Sequence, residues 1–177
     1  FDTDSASLSF GTTATVQTTS KKYFETIPFI PPYPSVIPGY YNPEIEIFRG
    51  YWLVNWFLKE FGNKEIEIAN EKGISPEFLL EPLLDKVPPG SHGLILHPMW
   101  TPGLDMPNAK GAIIGFGDVH TRAHIFRAIV EGINYALRDG MERIEKKGRI
   151  KIKKLMVSGG GSQSEKICLL YTSPSPR

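Results

Sequence analysis

The feature that most constrains the fold is the run 155–165, where an apolar stretch is followed by three glycines and then by a helix-start signal. Residues 155–157 are typical of the end of a buried strand. The glycines at 159–161 allow a sharp turn and a close approach to a ligand. Ser162 and Glu165 have capping-box spacing, which predicts a helix beginning there. A strand, a glycine turn and a helix N-terminus together present backbone N–H groups to an anion or a nucleotide, although such turns also occur as packing elements.

Length and composition restrict the class of protein. The 177 residues carry a net charge of +1, so no strong field favours nucleic acid as a partner. The single cysteine, Cys168, excludes an intramolecular disulfide framework and a zinc site built on several cysteines. No apolar run reaches the length of about 20 residues that a membrane-spanning helix needs. The sequence opens on Phe1 without a signal peptide, and we interpret it as a fragment of a cytoplasmic protein.

Apolar periodicity along the chain predicts a mixed α/β order. A β-hairpin is expected at 5–10 and 14–19, with its turn at 11–13, because a glycine separates two alternating segments. The proline-rich segment 27–41 is expected to be an extended loop. The remaining predicted elements are strands at 45–48, 94–97, 112–116 and 151–157, and helices at 50–61, 65–71, 75–86 and 121–145.

Three of these segments resemble, in order, the motifs of the FGGY carbohydrate kinases. Residues 7–16 (SLSFGTTATV) look like the phosphate hairpin of that family, and residues 159–164 (GGGSQS) resemble its adenosine motif. The second signature is similar to residues 111–131, which begin GAIIGF and end HIFRAIVE, with Phe116 where a smaller aliphatic residue is usual. The motifs cover nearly the whole chain up to Lys166.

The resemblance implies a fold and a domain organisation. It implies an α/β, ribonuclease H-like (actin-like ATPase) C-terminal domain with a mixed sheet and flanking helices, over residues 1–168 and incomplete at both ends. Residues 169–177 resemble a translation of sequencing-adapter DNA, and two prolines there would break a helix. We therefore expect these nine residues to be a non-native tail.

The resemblance also implies a set of nucleotide-binding residues. Thr12 would contact the transferred or β-phosphate region, Gly160 would approach the adenine or ribose, and Ser164 would contact the base. A glycine-threonine turn suits the first role, because backbone N–H groups in such a nest bind anions without a charged side chain. Without the family pattern, an ordinary threonine-rich hairpin would be the simpler interpretation. The full set implied by the resemblance is Gly11, Thr12, Thr13, Gly50, Gly159, Gly160, Gly161 and Ser164, with Gly50 also open to interpretation as a helix cap.

The same resemblance predicts an ATP-dependent sugar or polyol kinase with Mg²⁺ as cofactor. In this family an Asp in a glycine-rich segment before the phosphate hairpin is the catalytic base, so we expect the base upstream of Phe1. Asp2 and Asp4 lack flanking glycines and are interpreted as terminal charges. The fragment would be the nucleotide-side half, inactive without a sugar-binding N-terminal domain, and homo-oligomer formation is left open. The alternative is a non-enzymatic actin-like nucleotide-binding module, which an upstream glycine-flanked Asp would argue against.

Three further patterns have competing interpretations. His120 and His124 are four residues apart and could bind a metal with His97 or Asp118, but packing at a helix start is the simpler interpretation, and no metal site is predicted. A basic cluster at 143–154 lacks interleaved aromatics, so it is interpreted as solvated charge rather than as a nucleic-acid surface. The aromatic residues Trp52, Trp56, Phe57 and Phe61 could stack on a sugar, but their spacing favours a helix core face.

Overall fold

The fold is given by a computed structural model that describes residues 4–164, 166 and 167. The predicted hairpin is confirmed: β1 (Ser5–Phe10) and β2 (Ala14–Thr18) pair in antiparallel fashion. Alternate residues along both strands are buried, which is the pattern of strands with one face on a core. The three-residue connection between these strands leaves residues 11–13 at one edge of the sheet.

The proline-rich segment contains two short strands, β3 (Tyr33–Pro34) and β4 (Tyr41–Asn42), which pair with each other. The predicted loop at 27–41 thus contains turns at 27–30 and 37–40 in addition to this small antiparallel pair, so it is only partly extended. The strand predicted at 45–48 is present one residue earlier, as β5 (Glu44–Ile47), and it pairs antiparallel with β2. Prolines keep most of the segment out of the main sheet because they cannot donate backbone hydrogen bonds.

The second half of the chain adds three strands. β6 (Ile95–His97) and β7 (Ala112–Ile114) form a separate antiparallel pair. β8 (Lys154–Ser158) joins the main sheet parallel to β1, which makes that sheet mixed with the order β5-β2-β1-β8. β8 begins three residues later than predicted, because the Ile152 N–H donates to the Glu145 carboxylate instead of entering the sheet (2.8 Å).

Within the part of the chain that the structure describes, the strands are flanked by α1 (Trp52–Phe61), α2 (Asn63–Lys72), α3 (Glu81–Asp85) and α4 (Arg122–Gly148). The long helix α4 packs against β2, β5 and β6, and its fully buried side chains lie in the core with those of β1 and β2. Glycines allow this close packing: a Cβ at Gly132 would lie 2.6 Å from the Leu96 carbonyl oxygen. Within the described residues, no helix is both long and apolar enough to cross a membrane.

Two helix predictions are corrected by the structure. The helix expected at 75–86 is a 3-10 helix at Pro76–Leu79 followed by α3, because Pro82 has no N–H to continue a helical ladder through that point. The helix expected from Ser162 is preceded by a 3-10 turn at Gly160–Gln163. Helical residues follow at 166 and 167, whereas Glu165 and the predicted non-native tail at 169–177 lie outside the described residues.

Candidate nucleotide-binding site

The two glycine turns singled out in the sequence lie together at one edge of the main sheet. β1 and β8 are adjacent and parallel, with Ser9 opposite Ser158, so the turns that follow them leave the sheet on the same side. Gly159 lies against the backbone of Phe10, since a Cβ there would be 2.7 Å from the Phe10 carbonyl oxygen. The parallel pairing therefore brings the hairpin turn and the glycine run into one place.

A cavity of about 490 Å³ opens between these turns and the helices α1 and α3. The hairpin contributes Gly11 and Thr12, and the glycine run contributes Gly160 and Gly161. The other lining residues are Phe10, Tyr51, Trp52, Val54, Asn55, Ser75, Glu77, Phe78, Glu81, Leu84, Phe126, Gln163, Ser164 and Ile167. No lysine, arginine or histidine is among these described lining residues, so an anionic ligand would depend on backbone N–H groups, hydroxyls and its own counter-ion.

The N-terminus of α1 fixes the hairpin turn. The Tyr51 N–H donates to the Gly11 carbonyl (3.1 Å) and the Trp52 N–H to the Thr12 carbonyl (3.4 Å). These bonds place the positive end of the α1 dipole beside the turn, which favours negative charge there. Thr12 itself is exposed and lines the cavity, so its hydroxyl is available to a ligand.

Gly159, Thr13 and Gly50 of the predicted set lie outside the cavity lining. The last two are held by contacts elsewhere in the fold. The Thr13 hydroxyl donates to the Phe48 carbonyl (3.3 Å), which ties the hairpin to the segment after β5. Gly50 is buried, and a Cβ at that position would be 2.4 Å from the Ala14 Cβ. Both residues therefore have structural contacts that account for them, and their direct contact with a nucleotide remains a prediction.

The three glycines of the run have different environments. Gly159 has φ +92°, a conformation that L side chains rarely adopt, and it does not line the cavity. No atom lies within 4 Å of the Cβ position of Gly160, which lines the cavity. A Cβ at Gly161 would be 2.9 Å from the Phe10 Cβ, so this glycine allows the turn to pack on β1.

Ser164, rather than Ser162, carries the capping interaction expected after the glycines. The Ser162 hydroxyl donates to the Gly159 carbonyl (2.7 Å) and closes the 3-10 turn. Ser164 is buried, lines the cavity, and its hydroxyl oxygen accepts the Ile167 N–H at 3.4 Å. The cap predicted from the spacing, Ser162, thus lies two residues before Ser164, the residue that makes the capping hydrogen bond.

Sequence reasoning did not find the wall opposite the glycine run. This wall is formed by residues 75–84 and includes Ser75, Glu77, Phe78 and Glu81. The segment was predicted as a single helix without a ligand-facing role, and no motif marks it. Trp52 also lines the cavity, whereas Trp56 stacks on Phe61 and Trp100 away from it.

Contacts within the chain involve the histidine and basic residues of the competing interpretations. The His124 Nε2 lies 3.0 Å from the His92 Nδ1, and the His124 Nδ1 accepts the Thr121 N–H (3.1 Å), so this ring serves the start of α4. Among the described residues, no group of three His, Cys, Asp or Glu side chains is placed to hold a metal ion. Within the basic cluster, Arg143, Lys151 and Lys153 pair with carboxylates of this chain.

Comparison with known proteins identifies the family. Residues 6–173 match the C-terminal domain of the FGGY family of carbohydrate kinases. The chain belongs to this family. It is 35% identical over 136 residues to a xylulose kinase of Lactococcus lactis, covering 74% of this chain and 25% of that protein. It is 42% identical over 127 residues to glycerol kinase 2 of Saccharolobus solfataricus, covering 70% of this chain and 23% of that protein.

Solved structures show the same fold. The xylulose kinase of Rhodospirillum rubrum superposes with a TM-score of 0.80 at 24% identity, covering 97% of this chain and 33% of that one. The Plasmodium falciparum glycerol kinase with ADP gives a TM-score of 0.70 at 20% identity, covering 94% of this chain and 33% of that one. The actin-like FGGY fold with a mixed sheet and flanking helices is therefore confirmed, and the chain spans 23% to 33% of the length of these FGGY relatives.

Proposed function

We propose that this FGGY domain is the nucleotide-binding half of an ATP-dependent kinase that transfers the γ-phosphate to a hydroxyl of a sugar or polyol. The observation that carries the proposal is the meeting of the hairpin turn and the glycine run in one cavity, supported by the family match. The relatives support a carbohydrate acceptor, since they include xylulose, gluconate and glycerol kinases. A cytoplasmic location fits a consumer of ATP.

In this proposal the phosphates lie over the hairpin turn and the nucleoside lies between the glycine run and the 75–84 wall. The exposed Thr12 hydroxyl is aimed at phosphate oxygens, and the N-terminus of α1 adds favourable potential. Gly160 leaves room for the nucleoside, because its Cβ position faces open space. Positioning of this kind supplies most of what phosphoryl transfer requires of a protein.

The acceptor hydroxyl attacks the γ-phosphorus, the bond to the β,γ-bridging oxygen breaks, and ADP leaves with that oxygen. The hydroxyl proton must pass to a base, and no aspartate is among the described residues that line the cavity. Asp4 is at the opposite end of β1 from the turn, where it pairs with Lys153. We therefore assign the base and the sugar contacts to a part of the kinase outside this chain.

Mg²⁺ normally accompanies ATP in such reactions and neutralises phosphate charge. The described residues of this domain offer no cluster of three ligands for it. We therefore assign the ion to the phosphates, to water and to residues outside this chain, in line with its preference for few protein ligands.

The proposal is tested with two threonine variants in a full-length kinase that contains this domain. ADP release is measured over a panel of pentuloses, hexuloses, gluconate and glycerol. Thr12→Val keeps the hairpin but removes the hydroxyl that faces the cavity, so we expect kcat to fall by about tenfold and the ATP KM to change less. Thr19→Val is the matched control, because the Thr19 hydroxyl is bonded to the Asn42 side chain (3.0 Å) and Thr19 does not line the cavity. ADP release with no acceptor, or an equal loss of kcat in both variants, would contradict the proposal.

A further inference from the structure

One face of α4 carries three buried polar residues that the proposed chemistry does not use. His124, Arg127 and Glu131 are spaced i, i+3 and i+7, so they lie along one side of the helix. Their exposed fractions are only 7%, 6% and 6%. Burying a charge costs free energy unless the group is paired and hydrogen-bonded. The hydrogen-bond partners of these three side chains therefore indicate their role.

Arg127 and Glu131 bind each other and the backbone that follows α3. The Arg127 Nε donates to the Glu131 carboxylate at 2.7 Å. The Arg127 Nη1 donates to the carbonyls of Leu84 (2.8 Å) and Val87 (2.9 Å). Both Glu131 oxygens accept the Gly90 N–H at 3.1 Å. The pair is thus a clamp on residues 84–90, which we call the α4 clamp.

The next turn is attached to the same face. The Ser91 hydroxyl donates to the His124 carbonyl (2.7 Å), and the His92 and His124 rings are hydrogen-bonded. Residues 90–93 all have positive φ, from +49° to +89°, which is unfavourable for Ser91 and His92. Contacts with α4 are what hold this left-handed turn in place.

The clamped segment is continuous with the cavity wall. Leu84 lines the cavity with its side chain while its carbonyl accepts from Arg127. Glu81 lines the cavity one helical turn earlier in α3, and Phe126 lines it next to Arg127 in α4. The position of this wall relative to Gly160 and Gly161 therefore depends on the bonds that Arg127 makes.

We propose that Arg127 and Glu131 are positioning residues for nucleotide binding, acting through the backbone of residues 84–90 on the wall that faces the glycine run. This inference rests on the proposed function, since it takes the ligand of the cavity to be a nucleotide. Arginine suits the role because one guanidinium donates in fixed directions to a carboxylate and two carbonyls, which a lysine cannot do with one nitrogen.

The test compares two ion pairs of the same helix. Arg127→Met with Glu131→Leu replaces the α4 clamp by apolar side chains of similar size, which buried pairs often tolerate without unfolding. Arg122→Met is the matched control, because Arg122 pairs with Glu65 of α2, and neither residue lines the cavity. ATP binding to the 177-residue chain is measured by calorimetry well below the thermal midpoint of each variant, and the midpoints are measured by circular dichroism.

We expect the double variant to weaken ATP binding at least tenfold while Arg122→Met leaves it within about twofold. Arg127→Lys should also weaken ATP binding, and it serves as the test if the double variant does not fold. Lowered midpoints with an unchanged dissociation constant would show that the α4 clamp only stabilises the fold, and would overturn this inference alone. A wild-type chain that does not bind ATP would instead overturn the proposed function, and this inference with it.

Discussion

At the scale of single residues, the three glycines at 159–161 differ in the physical reason for which a side chain is absent. Gly159 is required by backbone conformation and by contact with Phe10, and Gly161 by contact with Phe10 and Tyr51. Gly160 meets no atom of the protein within 4 Å of its Cβ position. A side chain at Gly160 would therefore reduce the space of the cavity without disturbing the fold.

We expect Gly160→Val to leave the thermal midpoint nearly unchanged and to weaken ATP binding tenfold or more, which is about 1.4 kcal/mol. Gly159→Val is the contrasting variant. Its strained φ and its clash with Phe10 should lower the free energy of unfolding by roughly 2 kcal/mol or more. Circular dichroism and calorimetric ATP titration of both variants separate the two effects. Normal ATP binding by a folded Gly160→Val variant would mean that the glycine run is a packing turn alone.

The sequence identified the turns of this site better than the direction of individual side chains. Gly11, Thr12, Gly160, Gly161 and Ser164 all line the cavity, and their contact with a nucleotide stays a prediction. Thr13 comes from the same motif, but its hydroxyl donates to the Phe48 carbonyl, and a one-dimensional motif does not show which neighbour receives a hydroxyl.

At the scale of elements, the start of α4 depends on a neutral His124 ring. The His124 Nδ1 accepts the Thr121 N–H, in the manner of a capping box, so its proton is on Nε2, which can only donate to the His92 Nδ1. Protonation of the His124 ring would place its Nδ1–H against the Thr121 N–H. Burial, with the nearby His120 and His92, lowers the pKa of His124 below its usual value.

This lowered pKa predicts a loss of stability in mild acid. Above about pH 6.5 both folded and unfolded chains have a neutral His124, and its capping contribution is fully present. As the pH falls below that value toward the folded-state pKa, the unfolded chain takes up the proton first, so the free energy of unfolding decreases.

His124→Gln tests this dependence, because a glutamine at the third helical position can accept the Thr121 N–H without titrating. We expect the variant to be slightly less stable than the wild type at pH 8 and to lose less stability between pH 8 and about pH 5. Urea unfolding at both pH values gives the comparison, in which most other titrating groups cancel. Equal losses in the two proteins would contradict the assigned role of His124.

Element boundaries could be predicted where one sequence pattern, such as apolar periodicity, determined them. They could not be predicted where two patterns favoured different boundaries. The hairpin and α4 follow from strong periodicity, and both are present. The helix at 75–86 fails because Pro82 interrupts a segment whose apolar spacing is otherwise helical. The start after the glycines was misplaced because Ser162 and Ser164 are both acceptable caps, and only packing selects between them.

At the scale of the whole molecule, topology explains how distant motifs meet. About 150 residues separate the hairpin turn from the glycine run, yet parallel pairing of β1 with β8 places them side by side. The family resemblance implied only that both turns belong to the nucleotide-binding set. It did not predict that residues 75–84 line the cavity. Tertiary contacts of α3 with α4 place this wall, and no recognisable motif marks it.

In the proposed kinase this chain binds the nucleotide, and another part supplies the base and the sugar contacts. This assignment gives a last prediction for the 177-residue chain. Its cavity can position a nucleotide, but the described lining residues include no aspartate to accept the proton of an acceptor hydroxyl. We expect the chain to bind ATP and to release no ADP above background with xylulose, gluconate or glycerol. General-base catalysis typically contributes about 10²–10⁴-fold, and positioning of the acceptor contributes further, so loss of both should leave no measurable transfer. A coupled ADP-release assay decides this, with a full-length FGGY kinase as the positive control. Sugar phosphorylation by the chain alone would mean that the base and the acceptor site lie within these residues, and the cavity-lining carboxylates Glu77 and Glu81 would then be the first groups to replace.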